Sequence, residues 1–281
     1  MIDHSMNRKI LRVCLYIFIT ISSVFTLYPY FVMFFSSLKD LDQIFKMPPT
    51  IFPTTWKWDN YITVWKAVPL AKFFLNTIIV SIGATALTIV CAVPAAYALT
   101  RMEFKGRNLF MRLIVVSQMF TAVVLLIGIQ RVLVSLGIND KTLLSLILVD
   151  GAFNQAFAVW ILRGTFVTIS RELEQAAMID GCGRFEAMRR IVLPLAAPGI
   201  VTAIIYTFIN AWNEYTVALT ITSDVRKKVL TVGIEAFYGY TFIQWWYLFV
   251  VALLATIPVI ILFMYVEKNL VSGLTAGGVK G

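Results

Sequence analysis

The sequence predicts an all-α, polytopic membrane protein with six transmembrane helices. Of its 281 residues, 59% are hydrophobic and 14% are charged, and the mean hydropathy is +0.83. Soluble domains are about half apolar and about one quarter charged, so lipid is the better-matched environment. Six charge-poor runs are long enough to cross a bilayer as helices, which satisfy every backbone group where water is absent. We therefore expect one membrane domain.

Charged residues bound these six runs in order along the chain. The first run is too long for the core of a signal peptide, and no small-residue cleavage pattern follows it, so we expect it to remain as a membrane anchor. Asp150 interrupts the fourth run and Glu214 interrupts the fifth. The bounding pairs are Arg12 and Lys39, Lys72 and Arg101, Arg112 and Arg131, Lys141 and Arg163, Arg190 and Asp224, and Glu235 and Glu267.

The distribution of basic residues predicts the orientation of the chain. Clusters of Lys and Arg precede the first run and follow the second and the fourth. Because cytoplasmic loops are enriched in these residues, we expect the N terminus, the C terminus and both of these loops in the cytoplasm. The bias is moderate, since Lys residues mixed with Asp residues also occur between the first two runs. We interpret the net charge of +9 as membrane topology and expect no nucleic-acid partner.

The segment between the first two runs is rich in Pro and Trp, a mixture that suits a small folded cap with an aromatic belt at the membrane surface. No repeats or low-complexity tracts suggest further domains. The predicted organisation is a cytoplasmic tail at 1–12, a first span at 13–38, an extracytoplasmic segment at 39–72, a core membrane domain at 73–269 that includes a cytoplasmic loop at 165–197, and a cytoplasmic tail at 270–281.

The segment SRELEQAAMIDGCGRFEAMRRIVLPLAAP, from Ser170 to Pro198, predicts two short helices on the cytoplasmic face. Ser170 is a suitable N-cap, and acidic residues follow in the first turn, where the helix dipole favours them. Gly181 and Gly183 predict a turn into the second helix. Small residues recur at helical spacing in the first helix, so another protein can approach its backbone closely. This face is typical of a docking surface.

This segment resembles the cytoplasmic loop of binding-protein-dependent ABC importer permeases, which has the pattern E-A-A, three residues, G, nine residues, I-x-L-P. One position departs from the pattern, because Gln175 occupies the place of the glutamate. Two contacts with the ATPase subunit that this resemblance implies are therefore considered: a neutral hydrogen bond from Gln175 and an ion pair from Glu174. The matching residues are Ala176, Ala177, Gly181, Ile191, Leu193 and Pro194, with Asp180 as the acid before the glycine.

The resemblance extends over nearly the whole chain. FPTTWKWDNY, FLNTIIVS, AAYALTRMEFKGR, AWNEY and GLTAGGVKG are similar to the carbohydrate-uptake branch, on the side of the maltose permease's second subunit. The resemblance implies a type I ABC importer permease in the bacterial cytoplasmic membrane. Its implied partners are an ABC ATPase dimer, a second homologous permease, an extracytoplasmic solute-binding protein and membrane lipid.

The energy source must lie in another chain, because the sequence contains no phosphate-binding loop. We expect no directly bound cofactor, with ATP and Mg²⁺ held by the ATPase partners. The resemblance implies that the loop couples ATPase motion to alternating access for a sugar or sugar-like solute, such as a saccharide, polyol or glycerol phosphate. The implied coupling residues are Glu172, Glu174, Gln175, Ala176, Ala177, Asp180, Gly181, Arg184, Ile191, Leu193 and Pro194.

Polar residues inside the membrane runs are candidates for the substrate pathway, because each is costly in lipid without a partner or water. Amides and aromatic rings suit sugars, but the same amides can tie helices together. Both interpretations stay open. The candidates are Asp150, Asn154, Gln155, Asn210, Trp212, Asn213 and Glu214.

Other function classes fit the sequence less well. A secondary transporter or channel would work without an ATPase partner. A membrane-embedded enzyme would need a nucleophile with a base, a metal cluster or paired carboxylates, and Asp150 and Glu214 lie on different spans. We expect no catalytic residue and no metal, since the three cysteines are far apart and the single histidine lies in the N-terminal tail.

Overall fold

The computed structural model describes residues 4–138, 143–239 and 243–277, and within these ranges it describes side chains from residue 11 to residue 265. The described residues form helices and no strand. Residues 1–3 and 278–281 of the predicted tails, and Lys141 at the edge of the fourth predicted span, lie outside the described residues. The α-helices are α1 (His4–Ser37), α2 (Leu41–Ile44), α3 (Asn60–Ala67), α4 (Leu70–Arg101), α5 (Arg107–Ser117), α6 (Ala122–Ser135), α7 (Leu144–Thr168), α8 (Arg171–Ile179), α9 (Arg184–Ala187), α10 (Leu193–Leu195), α11 (Ala197–Trp212), α12 (Thr216–Ile221), α13 (Leu230–Gly233) and α14 (Trp245–Gly277).

Four helices are long and apolar enough to cross a membrane singly, and two bent pairs bring the number to as many as six. The single spans are Leu11–Ser37 of α1, the whole of α4, the whole of α7, and Trp245–Tyr265 of α14. The bent pairs are α5 with α6, at 108°, and Arg184–Leu195 with α11, at 77°. The predicted third span is therefore not one continuous helix. Its break lies at residues 118–121, where Thr121 has an extended backbone.

The chain divides into two compact units. One contains the residues up to Val68 together with Ala236–Ile257, and the other contains Pro69–Glu235 with the residues from Pro258 onward. All candidate coupling and substrate-pathway residues lie in the second unit.

The first unit includes a folded segment after α1. Lys39 is buried, its ammonium group donates a hydrogen bond to the carbonyl of Thr50, and burial lowers the pKa of this ammonium. Asn60 donates through Nδ2 to the carbonyls of Ser37, at 2.8 Å, and Lys39, at 3.2 Å. These bonds fold the segment back on itself, since they join residues more than ten positions apart.

The core of the second unit is built on α4 and α7, which lie side by side and point the same way. Towards their C-terminal ends, Tyr97 and Phe166 belong to one buried cluster. Towards their N-terminal ends, Val80 and Leu146 belong to a second buried cluster. Val80 and Tyr97 are roughly 25 Å apart along α4 at 1.5 Å per residue, so the two clusters lie at opposite ends of the bundle.

The α5–α6 pair and the segment from α11 to α12 both run between these two clusters. Ile114 of α5 packs in the Tyr97 cluster and Leu133 of α6 packs in the Val80 cluster. Ala203 of α11 packs in the Tyr97 cluster, and Val217 of α12, which follows α11, packs in the Val80 cluster. Each of these two segments therefore extends along the length of α4, which supports the six-span interpretation.

Candidate coupling site

Helix α8 and the turn after it have the geometry that the sequence predicts. Ser170 is the N-cap of α8, and its Oγ accepts a hydrogen bond from the backbone N–H of Glu172 at 3.1 Å. Gly181 has φ +97°, a left-handed conformation that favours glycine. Gly183 is the N-cap of α9, which begins at Arg184. The predicted helix-turn-helix is therefore confirmed as local structure.

The chain continues from α9 through a π-helical turn, Met188–Val192, into the short helix α10. Val192 is fully buried in the Tyr97 cluster, while Ile191 and Leu193 are half-buried and Pro194 is exposed. The I-x-L-P residues thus lie where the hairpin meets the bundle, directly before the 77° bend into α11.

Glu174 points into the protein. Its Oε2 lies 2.9 Å from Nε of Arg101, and both side chains are 7% exposed. Its Oε1 accepts a hydrogen bond from the hydroxyl of Tyr97. The carboxylate therefore already has two partners at the C-terminal end of α4, whereas Gln175 beside it is exposed. Of these two side chains, Gln175 is the one exposed to solvent.

Two further hydrogen bonds join α4 to the start of α8. The guanidinium of Arg101 donates to the carbonyl of Ile169 at 2.8 Å, and the guanidinium of Arg171 donates to the carbonyl of Thr100 at 2.9 Å. Charge-assisted bonds of this kind are stronger than neutral ones. The structure thus ties α8 to α4 at several points.

Sequence reasoning missed the residues that make this connection. Tyr97 lies inside the second predicted run, and Arg101 and Arg171 belong to the basic clusters that predict the cytoplasmic side. No local pattern indicates the pairing, because Arg101 and Glu174 are separated by a whole bent span and α7. The local sequence carries no usable signal, because Glu172 and Glu174 are both acidic residues in the first turn of α8 and only Glu174 is buried.

The outer face of the hairpin is exposed and partly apolar. Leu173 is 50% exposed, Ile179 is 85% exposed and Phe185 is 73% exposed. Glu172, Gln175, Ala176 and Asp180 are exposed on the same segment, while Ala177 is half-buried. Large apolar side chains exposed on an otherwise polar segment indicate an interaction surface.

The candidate substrate-pathway residues divide between α7 and the C-terminal end of α11. Asp150 and Asn154 are buried, and Asn154 donates through Nδ2 to the carbonyl of Asp150 at 2.8 Å. With its amide oriented so that both atoms are satisfied, Gln155 bonds the carbonyl of Thr88 at 3.3 Å and the N–H of Ala92 at 2.9 Å. These amides therefore make hydrogen bonds to the helix backbone, and Gln155 ties α7 to α4.

The remaining candidates lie at the end of α11. Asn210 and Asn213 are exposed, whereas Trp212 is 4% exposed and stacks on Phe208 with ring centroids 5.7 Å apart. The Glu214 carboxylate accepts hydrogen bonds from the N–H groups of Val217 at 2.8 Å and Ala218 at 2.9 Å. Glu214 thus caps the N terminus of α12.

One exposed stripe on α11 includes a residue that sequence reasoning missed. Tyr206, Asn210 and Asn213 follow one another at helical spacing, and Tyr206 is 36% exposed. The carbonyl of Tyr206 accepts a hydrogen bond from Nδ2 of Asn210 at 3.0 Å. We call these three residues the α11 stripe.

Within the described parts of the chain, no group of three or more His, Cys, Asp or Glu side chains could hold a metal ion.

Comparison with known proteins places the chain in a family. Residues 85–275 match the model of the binding-protein-dependent transport system inner membrane component. The chain belongs to this family. It is therefore a transport permease subunit of the inner membrane, and the matched range includes the whole α8–α9 hairpin.

Relatives of this permease align over almost their full length. It is 32% identical over 277 residues to an inner membrane ABC transporter permease protein, YcjP, of Escherichia coli, covering 98% of this chain and 99% of that protein. It is 37% identical to the sulfoquinovosyl glycerol transport system permease protein SmoH of Agrobacterium fabrum, covering 91% and 89%. It is 32% identical to the trehalose/maltose transport system permease protein MalG of Thermococcus litoralis, covering 96% and 97%.

The permease also has a solved structural neighbour. A chain in the crystal structure of a bacterial ABC transporter involved in the import of the acidic polysaccharide alginate superposes with a TM-score of 0.79 at 21% identity. The superposition covers 95% of this chain and 99% of that chain. At this identity the likeness establishes a shared all-α permease fold.

Proposed function

We propose that this permease translocates a sugar or sugar-like solute into the cell, driven by two ABC ATPase subunits, one of which docks on the α8–α9 hairpin. Family membership supports the transport role. The names of relatives that carry sulfoquinovosyl glycerol, trehalose and maltose support the solute class. The exposed Leu173, Ile179 and Phe185 support docking of another protein.

The single observation that carries the mechanism is the buried connection between α8 and α4. Arg101 and Glu174 form an ion pair 2.9 Å long at the point where α4 ends. A force on α8 therefore acts on α4 without a flexible joint between them. Closure of the ATPases on ATP and Mg²⁺ then moves the hairpin, and rigid-body motion of the bundle switches the cavity between its inward and outward states.

The remaining partners follow from the same proposal. A second homologous permease completes the pathway, and an extracytoplasmic solute-binding protein delivers the solute to the outward state, each shifting the equilibrium only by its differential affinity. In this proposal the cytoplasmic parts are the hairpin and the two terminal segments, at 1–12 and 270–281. The segment at 39–72 lies on the extracytoplasmic side. This orientation rests on the basic residues that flank the spans.

For the solute pathway, we propose the α11 stripe. Its two exposed amides and its tyrosine provide hydrogen-bond donors, acceptors and a ring face, which are the groups that sugars need. Asn210 and Asn213 also donate to the backbone of α11, but both remain exposed, whereas Asn154 is buried and Gln155 and Glu214 are half-buried. A role for these three in packing is the simpler interpretation.

The direct test is purification of the tagged permease from its native cell, followed by reconstitution with and without the copurifying chains. We expect an ABC ATPase to copurify, and we expect uptake of radiolabelled sugars into proteoliposomes only with ATP on the ATPase side. Uptake by the permease alone, driven by an ion gradient, would support the secondary-transporter alternative and overturn the proposal.

A further inference from the structure

A small cavity opens beside α8 on the hairpin. It encloses about 130 Å³ and is lined by eight residues of the second unit. The buried side chains of Tyr97, Arg101 and Glu174 form its floor, and exposed Arg171, Gln175 and Arg184 form its rim. We call this space the arginine cavity. Its rim residues Arg171 and Gln175 belong to α8, so it opens within the surface that we propose for ATPase docking.

The arginine cavity carries a surplus of positive charge. Three arginines line it, and among the described residues Glu174 is the one carboxylate in its lining. That carboxylate is held by Arg101 at 2.9 Å, while Arg171 donates to a neutral backbone carbonyl at 2.9 Å. Two of the three guanidinium charges thus lack a carboxylate within the lining. The family motif would place a second carboxylate at position 175, where this chain has Gln175.

Docking of a protein over the cavity would remove water from Arg171 and Arg184. Covering a charge is costly unless it is paired and hydrogen-bonded. The planar guanidinium matches a carboxylate by two parallel hydrogen bonds. The covering surface must therefore bring its own negative group, and the open mouth between the exposed rim residues can admit a side chain.

We propose that the ATPase partner inserts an Asp or Glu side chain into the arginine cavity, where Arg184 and Arg171 bind its carboxylate. The inference rests on the proposed function, because it requires that the ATPase dock on the hairpin. It assigns to Arg184 a binding role in the assembled importer. It also explains how a permease with Gln175 in place of the motif glutamate keeps an electrostatic contact with its ATPase, with the negative charge on the other chain.

The test measures how much ATPase is retained by the tagged, full-length permease. Arg184→Glu should reduce retention at least about tenfold, because it places like charges face to face at a covered site. Arg189→Glu, on the same segment but outside the cavity lining, is the matched control and should stay within about threefold of the wild type. Gln175→Glu should reduce retention several-fold, since it places a carboxylate of the permease itself at the cavity rim, where it competes with the carboxylate of the partner. This variant provides the test if Arg184→Glu fails to fold.

A rescue experiment identifies the partner group. Single Asp→Arg and Glu→Arg changes on the ATPase surface are screened for restored binding to the Arg184→Glu permease, and one of them should restore it. Equal retention by Arg184→Glu and the wild type would overturn the inference while leaving the proposed function intact. The same holds if no acidic position rescues the Arg184→Glu permease.

A further experiment distinguishes binding of a small anion in the cavity from binding of a partner side chain. The wild type is purified in inorganic phosphate and in chloride at equal ionic strength. Equal ATPase retention in the two buffers supports binding of the partner's carboxylate. Retention that depends on phosphate, and loses this dependence in Arg184→Glu, would show that a small anion fills the cavity and would overturn the inference. A wild-type permease that retains no ATPase in any buffer would overturn the proposed function and this inference together.

Discussion

Arg101 Nε lies 2.9 Å from Oε2 of Glu174, and this pair joins the last residue of α4 to the first turn of α8. Both side chains are 7% exposed, and the hydroxyl of Tyr97 donates to the other carboxylate oxygen. Removing one partner of a buried pair is far more costly than removing one partner of an exposed pair. The connection therefore predicts a large and specific effect of substitution at either end.

Glu174→Ala should destabilise the permease by about 3–5 kcal/mol, because it leaves the charge of Arg101 buried without a carboxylate. It should also lower solute uptake more than ATP hydrolysis, since α8 is then free to move without α4. Thermal unfolding in detergent and the ratio of uptake to hydrolysis measure the two effects.

The matched control for this change is Glu186→Ala. Glu186 pairs with Arg190 at 2.7 Å, but these side chains are 44% and 69% exposed. Such a pair contributes about 0–1 kcal/mol. Equal losses of stability in the two variants would show that the Arg101–Glu174 pair has no special role.

Gly181→Ala should weaken coupling through the backbone alone. A Cβ at this position would have no atom within 4 Å, but φ is +97°, which costs an alanine about 1–2 kcal/mol. We expect the turn to shift and the uptake per ATP hydrolysed to fall. Gly183→Ala is the control, because its φ of −71° suits any residue and its Cβ also has open space. An unchanged ratio in Gly181→Ala would remove the turn from the mechanism.

Gly199 allows α11 to approach α7 closely. A Cβ at Gly199 would lie 2.0 Å from Oγ1 and 2.7 Å from Cβ of Thr165. Gly199→Ala should therefore force the helices apart and cost about 1–3 kcal/mol in thermal unfolding. Gly164→Ala, directly before Thr165 in α7, meets no atom within 4 Å and should be neutral or slightly stabilising. Similar stability of the two variants would contradict the close packing of α11 on α7.

Substitution in the α11 stripe tests the solute pathway. Asn210→Ala and Asn213→Ala should each raise the solute concentration for half-maximal uptake by about two- to tenfold, the effect of one lost hydrogen bond. Basal ATP hydrolysis should change little. Thr220→Ala is the control, since Thr220 is exposed on α12 and bonds only the carbonyl of Thr216 in its own helix. If all three variants transport alike, the stripe does not face the solute.

Local chemistry accounts for what the sequence predicts well. Ser170 and Gly181 could be assigned roles because capping and left-handed turns depend on residues close in the chain. The number of spans could be predicted because charge interrupts apolar runs. The break at residues 118–121 could not, since that stretch contains neither glycine nor proline. Periodicity alone does not say that α11 ends at Trp212 and that Glu214 caps the next helix.

The site was predicted less completely than the fold. The exposed face of α8 follows from its small residues, but which side of the helix packs on α4 depends on residues distant in sequence. Glu174 therefore appeared as a possible surface contact, and only the structure reveals its burial against Arg101 and Tyr97. The arginine cavity could not be predicted for the same reason, because its lining residues come from α4 and from the α8–α9 hairpin, which are distant in sequence.

The most direct test of the account uses Cys182, which lies half-buried in the turn between α8 and α9. Cys14 and Cys91 are first replaced by alanine, and modification of Cys182 by a membrane-impermeant maleimide is then timed in intact cells and in inside-out vesicles. We predict modification only in inside-out vesicles, and slower modification when the ATPase is bound. Modification in intact cells, or an equal rate with and without the ATPase, would contradict a cytoplasmic hairpin that receives the motion of the ATPase.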